Sequence, residues 1–229
     1  MNCSVAAVIL AAGSGSRMQL DITKQQIVFN GETVLRRSVR IFNECDDIDE
    51  IVVVARADEI NFAREEIKGL SKVKGIVVGG STRAESAKAG FMAIDGSSFV
   101  AIHDAARCFV TPEIISKVIS DAKTYGAATA STCVTDTVKR IGPDGRIEKT
   151  VDRATLRTVQ TPQVFRSELY EKAISLVPLD DLSITDDNSL LEKIGVYSYL
   201  TETGKNNIKL TTVEDLLIAK YLLDGDENE

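Results

Sequence analysis

Two cations follow a turn built from small residues. The turn is Ala11-Ala12-Gly13-Ser14-Gly15-Ser16, Arg17 comes next, and Lys24 lies seven residues beyond it. Glycine lets a backbone approach a ligand with no side chain in the way. Successive amides in such a turn form a concavity for an anion. A strand, this turn and the two cations make a candidate triphosphate cradle. A dinucleotide fingerprint would need a third small residue at position 18, where Met18 stands. A P-loop would need Gly-Lys-Ser/Thr to close the turn, and that triplet is missing. A plain connecting turn with solvated cations stays open at this point.

Two further stretches have the same character. Gly79-Gly80-Ser81 runs straight into Thr82-Arg83-Ala84-Glu85, a capping-box pattern. A second glycine loop therefore meets a helix N-terminus, where anions are favoured. His103-Asp104-Ala105-Ala106-Arg107 closes the apolar run Phe99-Val100-Ala101-Ile102. His103 is the only histidine of the chain, which excludes a histidine-rich metal site. Cys3, Cys45, Cys108 and Cys133 show no paired metal spacing. A reducing, cytoplasmic setting suits them.

These side chains need a scaffold. Residues Val5–Leu10 form an apolar run of the kind found in buried parallel strands. Strand-like runs at 51–55, 73–78, 99–102 and 127–133 alternate with helical patterns at 32–43, at 58–70 and from Thr82. Thr111-Pro112-Glu113 opens another helix, with Ile114, Ile115, Val118 and Ile119 on its apolar face. The alternation predicts an α/β fold, a mostly parallel sheet with helices on both faces. Ligands of such sheets bind beyond the carboxyl ends of the strands. The loops at 11–17, 79–83 and 103–107 should therefore meet at one edge.

Residues 134–156 depart from this pattern. Gly142-Pro143-Asp144-Gly145 is a turn signal between two polar, β-capable stretches. The stretches hold too few apolar residues for a core, which predicts a protruding β-hairpin arm that reaches a second subunit. Beyond it the pattern gives a helix from Ser167, strands at 196–200 and 206–210, and a final helix capped by Thr211 and Glu214. No linker divides residues 1–229, so they read as one domain with an arm at about 134–156. A 44% hydrophobic content suffices for a full core, and a net charge of −7 argues against a general nucleic-acid or anionic-membrane surface. No apolar run reaches membrane-spanning length. A phosphate site must then be a local gathering of Arg and Lys.

The chain's motifs fall in a recognisable order. AAGSGSRM at 11–18 with Lys24, HDAAR at 103–107, VDR at 151–153, TPQ at 161–163, TD at 185–186 and NIK at 207–209 resemble the sugar and polyol phosphate nucleotidyltransferases. Within them the set is most similar to the cytidylyltransferases that act on 2-C-methyl-D-erythritol 4-phosphate. The ribitol 5-phosphate enzymes share most of it and stand as the alternative. The resemblance implies transfer of CMP from CTP to the polyol phosphate, with Mg²⁺ and release of pyrophosphate. It also implies a Rossmann-like domain and a homodimer interlocked by the β-arm.

Roles follow from the same resemblance. Arg17 and Lys24 match the pair that stabilises the transition state, and Arg153 and Lys209 match the residues that hold the attacking phosphate. Thr137, Thr161 and Thr185 match contacts to the acceptor, and Arg107 faces either the acceptor or the dimer interface. Ala11, Ala12, Gly13, Gly80, Ser81, Arg83, Ser86, Asp104 and Ala105 match nucleotide contacts. Asp104 is also the candidate Mg²⁺ ligand, since Mg²⁺ takes one or two carboxylates besides phosphate oxygens and waters. His103 is read as structural. Because Thr137 and Arg153 lie in the arm, the partner would complete each site. A phosphate monoester has a second pKa of about 6 and needs no general base near neutral pH. Thr23 stands where the family has Pro, which would loosen the loop, and Ser81 stands where an acid is common. Cys108, Thr135 and Asn206 replace Pro, Arg and Asp.

Overall fold

The computed structural model of the chain describes residues 3–13, 22–181 and 183–226. Arg17, with the rest of 14–21, lies outside the described residues. The strands are β1 (Val5–Leu10), β2 (Val28–Phe29), β3 (Glu32–Thr33), β4 (Glu50–Ala55), β5 (Val73–Val78), β6 (Phe99–Asp104), β7 (Ala127–Cys133), β8 (Val138–Ile141), β9 (Ile147–Val151), β10 (Arg157–Arg166) and β11 (Tyr199–Glu202). The helices are α1 (Val34–Glu44), α2 (Ile60–Glu66), α3 (Arg83–Phe91), α4 (Pro112–Tyr125), α5 (Ser167–Leu176), α6 (Asp187–Glu192) and α7 (Val213–Asp226).

Seven strands form the main sheet in the order β11-β7-β10-β6-β1-β4-β5. β1 is parallel to β4 and β6, β4 to β5, and β11 to β7. Only β10 runs against its neighbours β6 and β7. The mostly parallel α/β sheet expected from the alternation, Rossmann-like as the resemblance implied, is the one found. β1 lies inside it and is buried along its whole length. Val5, Ala7 and Ile9 pack with Leu35 and Phe42 of α1 and Ile115 of α4. Val8 and Leu10 pack on the other side with Ala87 of α3, Tyr170 of α5 and Leu190 of α6. Burial on both faces is why β1 reads as unbroken apolar sequence. Each large aliphatic side chain so buried contributes roughly 1.5–3 kcal/mol.

Several elements differ from expectation. No strand is signalled at 157–166, yet β10 fills the gap between β6 and β7. Its Pro162 sits where the register on β7 shifts between Val159 and Gln163, and a bulge tolerates a residue that cannot donate to the ladder. The helix expected at 58–70 begins as a 3-10 turn, Ala57–Glu59, and α2 ends at Glu66. The strand placed at 196–200 lies at 199–202, and 206–210 is irregular rather than a strand. Ahead of α7 the capping acid is Asp215, not Glu214: it accepts from the amides of Thr211 and Thr212 at 2.7 and 2.8 Å. β8 and β9 form the expected hairpin, paired from Val138↔Val151 to Ile141↔Ile147. No described helix is long and apolar enough to cross a membrane.

Candidate active site

The ends of β1, β5 and β6 are stitched to their neighbours. The Ala11 amide donates to Val54 O at 2.7 Å, Gly79 N to Ala55 O at 2.9 Å, and Ala105 N to Leu10 O at 3.0 Å. Gly79 permits a close approach there: a Cβ would stand 2.6 Å from Ala12 Cβ and 2.8 Å from Ser86 Oγ. α3 then starts with the predicted capping box. Thr82 Oγ1 accepts from Glu85 N at 3.1 Å, and the Glu85 carboxylate accepts from Ser81 N at 2.7 Å and Thr82 N at 3.2 Å.

The described start of the first loop, 11–13, meets the loops at 79–83 and 103–107 around a cavity of ≈360 Å³. Of the residues expected around a nucleotide, Ala12, Gly13, Gly80, Ser81, Arg83, Ser86 and Asp104 line it, together with Lys24 and Lys209. Ala11 and Ala105 do not: they are 1% and 0% exposed, their amides are spent on the sheet, and Ala106 lines the cavity instead. Thr23 itself is tied down, while the loop ahead of it lies outside the described residues. Its hydroxyl donates to Glu59, and its amide donates to Gln26 Oε1 at 3.3 Å, just ahead of the 3-10 turn that carries Lys24.

Asp104 is the junction of the site. Its Oδ1 accepts from Arg83 Nε at 3.1 Å and its Oδ2 from Lys209 Nζ at 2.6 Å. Burial pushes this carboxyl up, but Arg83 and Lys209 more than offset that and hold it well below the usual carboxylate range. Behind it, Thr161 Oγ1 accepts from Asp104 N at 3.1 Å and bonds His103 Nδ1 at 3.1 Å. Burial pushes the His103 imidazole down to about 3, and its ring lies 4.7 Å from that of Phe42. His103 is therefore a neutral internal strut, as expected.

A second cavity of ≈260 Å³ shares Arg83, Asp104 and Lys209 with the first and adds Arg107, Thr161 and Thr185. Arg107 Nη1 donates to Asn207 O at 2.9 Å, and Asn207 Nδ2 donates to Thr161 O at 2.9 Å. These bonds fix the irregular stretch that presents Lys209. Thr161 lines the cavity while its hydroxyl is committed inward. Thr137 and Arg153 are not brought here: both are exposed on the hairpin side, and Arg153 donates to Thr135 O.

Gln163 and Asp187 belong to this region and were not singled out. Asp187 Oδ2 accepts from Arg83 Nη1 at 2.6 Å, and Gln163 accepts from Asp187 N at 3.0 Å. Adjacent acids before an apolar pair suggest a helix cap, and nothing local tells which of the two turns inward. Among the described residues no three His, Cys, Asp or Glu gather as a metal site. Among the described residues, Asp104 is the one carboxylate lining the first cavity. A single carboxylate suits a divalent ion whose other ligands are phosphate oxygens and water.

The family model described as IspD, 2-C-methyl-D-erythritol 4-phosphate cytidylyltransferase, matches residues 5–225. A protein of that name from Clostridium novyi is 41% identical over 98% of this chain and 97% of its own length. Another, from Syntrophus aciditrophicus, is 37% identical over 99% of each. The crystal structure of 4-diphosphocytidyl-2C-methyl-D-erythritol synthase from Anaerococcus prevotii superposes with a TM-score of 0.87 at 30% identity, covering 97% of both chains.

Proposed function

Since the chain belongs to the 2-C-methyl-D-erythritol 4-phosphate cytidylyltransferase family, we propose that it transfers CMP from CTP to 2-C-methyl-D-erythritol 4-phosphate. The products are 4-diphosphocytidyl-2-C-methyl-D-erythritol and pyrophosphate, a step of non-mevalonate isoprenoid synthesis. The observation that carries this reading is the wall of Arg83, Asp104 and Lys209 common to both cavities. One cavity has glycine loops and a helix N-terminus suited to a nucleotide, and the other has a cation suited to a phosphate monoester.

In the reaction, an acceptor phosphate oxygen attacks the α-phosphorus of CTP. The bond from that phosphorus to the bridging oxygen breaks, and pyrophosphate leaves with the electron pair. The acceptor arrives ionised, its second pKa being about 6, so no base is required and buried His103 supplies none. The work left to the protein is to gather two anions and offset the charge that builds on the transferred phosphoryl group. Lys24 and Arg17 act on the triphosphate, and Lys209 on the acceptor. Ala12, Gly13, Gly80, Ser81 and Ser86 hold the cytidine. Asp104 would hold a divalent cation such as Mg²⁺, which would supply further neutralisation of the phosphate charge.

Thr137 and Arg153 would act in the active site of a second subunit, making the enzyme a homodimer of single-domain chains joined by their arms. Their absence from the lining of either cavity supports this, as do Ile141 and Ile147, each 64% exposed on the arm. Apolar side chains in that position call for a covering surface. The cysteine pattern supports a cytoplasmic location. Pyrophosphate release from CTP and Mg²⁺, run in parallel with 2-C-methyl-D-erythritol 4-phosphate and ribitol 5-phosphate, tests the assignment. Release with the first acceptor alone is expected, and release with the second alone would reassign the substrate.

A further inference from the structure

Asp187 has no part in the chemistry above, yet it is 1% exposed and bonded at every polar atom of its side chain. Its neighbour Asp186 caps α6, accepting from Ser189 N at 2.9 Å. Asp187 turns the other way. Its Oδ1 accepts from the Tyr170 hydroxyl at 2.7 Å and its Oδ2 from Arg83 Nη1 at 2.6 Å. Arg83 thereby lies between two carboxylates, with Nη1 on Asp187 and Nε on Asp104 at 3.1 Å. Its Nη2 is buried without a protein partner among the described residues. The other oxygen of Asp104 holds Lys209. The result is a row of alternating charge, Asp187–Arg83–Asp104–Lys209, running from the interior to the wall that both cavities share.

A guanidinium facing one carboxylate prefers to grip both of its oxygens through two parallel bonds. Arg83 gives each of its two carboxylates only one. Asp187 occupies Nη1 and sets the tilt of the fork, so Asp104 keeps an oxygen for Lys209. With the Asp187 charge gone, Arg83 has a single carboxylate left, and a two-bond grip through Nε and the unpartnered Nη2 competes for the oxygen that holds Lys209. We propose that Asp187 is a positioning residue for the acceptor: by restraining Arg83 it leaves Asp104 free to fix the Lys209 ammonium at the shared wall. This rests on the cytidylyltransferase reading. The Tyr170 hydroxyl belongs to the same device, since it sets the orientation of the Asp187 carboxylate.

The test is steady-state kinetics with CTP and 2-C-methyl-D-erythritol 4-phosphate. Asp187→Asn keeps the shape and removes the charge. Its KM for the acceptor should rise about tenfold, while its KM for CTP stays within about twofold of wild type. In an Asp104→Asn background the same substitution should change the acceptor KM by less than about twofold, because the two act in series. Tyr170→Phe leaves the charge but loosens the carboxylate, and its acceptor KM should rise roughly two- to fivefold. An unchanged acceptor KM in folded Asp187→Asn overturns the proposal. So does an equal rise for both substrates, or a full effect in the Asp104→Asn background. If Asp187→Asn fails to fold, Tyr170→Phe decides, and wild-type kinetics in it overturn the proposal. No turnover by the wild-type enzyme would instead remove the functional reading on which it stands.

Discussion

Lys209→Met removes one ammonium and keeps an apolar stem of similar reach. In the wild type, Lys209 Nζ stands 2.6 Å from Asp104 Oδ2, with side chains 34% and 12% exposed. A charge-assisted bond to a phosphate is worth about 1.5–3 kcal/mol. At about 1.36 kcal/mol per tenfold change, that is a loss of roughly 10- to 150-fold in kcat/KM for the acceptor. The loss in fold stability should be much smaller. The ion pair is partly solvated and contributes at most ~1 kcal/mol, which for a chain of this size lowers Tm by about 2–4 °C. Pyrophosphate release against acceptor concentration at saturating CTP gives the first number, and a thermal melt the second. A kcat/KM within about twofold of wild type would refute the placement of Lys209 on the acceptor phosphate. A Tm drop beyond about 10 °C would show the ion pair to be chiefly structural.

If the partner's arm completes each site, mixing the impaired Lys209→Met and Arg153→Ala proteins should raise the rate to roughly a quarter of wild type or more after subunit exchange; a rate no higher than the average of the two alone would refute the shared site. Acid should destabilise the fold before the carboxylates titrate. His103 moves from an ordinary 6.5 to about 3 on burial, so between those values the unfolded chain binds a proton that the folded one does not, and stability falls as pH falls. From pH 6.5 to 5 this amounts to about 2 kcal/mol, and urea midpoints that stay level between pH 7 and 5 would contradict it. Gly79→Ala would set its Cβ 2.6 Å from Ala12 Cβ; overpacking of this kind costs about 1–3 kcal/mol, and the displaced loop should raise the KM for CTP more than that for the acceptor. An unaltered KM for CTP would show that the two loops move apart without consequence.

Local signals in the sequence were enough for the scaffold. β1 reads as a strand because it is apolar throughout, α3 starts where Thr82 and Glu85 form a capping box, and the arm turns at Pro143-Asp144-Gly145. Each of these reports the backbone within a few residues of itself. Asp104 could be picked out from the end of an apolar run, and Lys209 only through the family resemblance of Asn207-Ile208-Lys209. Their bond joins residues 105 positions apart, and no local pattern specifies it. The same holds for β10, whose proline signals a break where the bulge permits a strand, and for Asp187, whose direction depends on Arg83 and Tyr170. The insertion of β10 between β6 and β7 sets Thr161 behind Asp104 and Gln163 beside Asp187. Residue types and spacing determined most of the strands, though not β10, and the chemistry the loops could support. Only tertiary packing decided which charges face one another, because a buried carboxylate is fixed by the cations that the whole fold delivers to it.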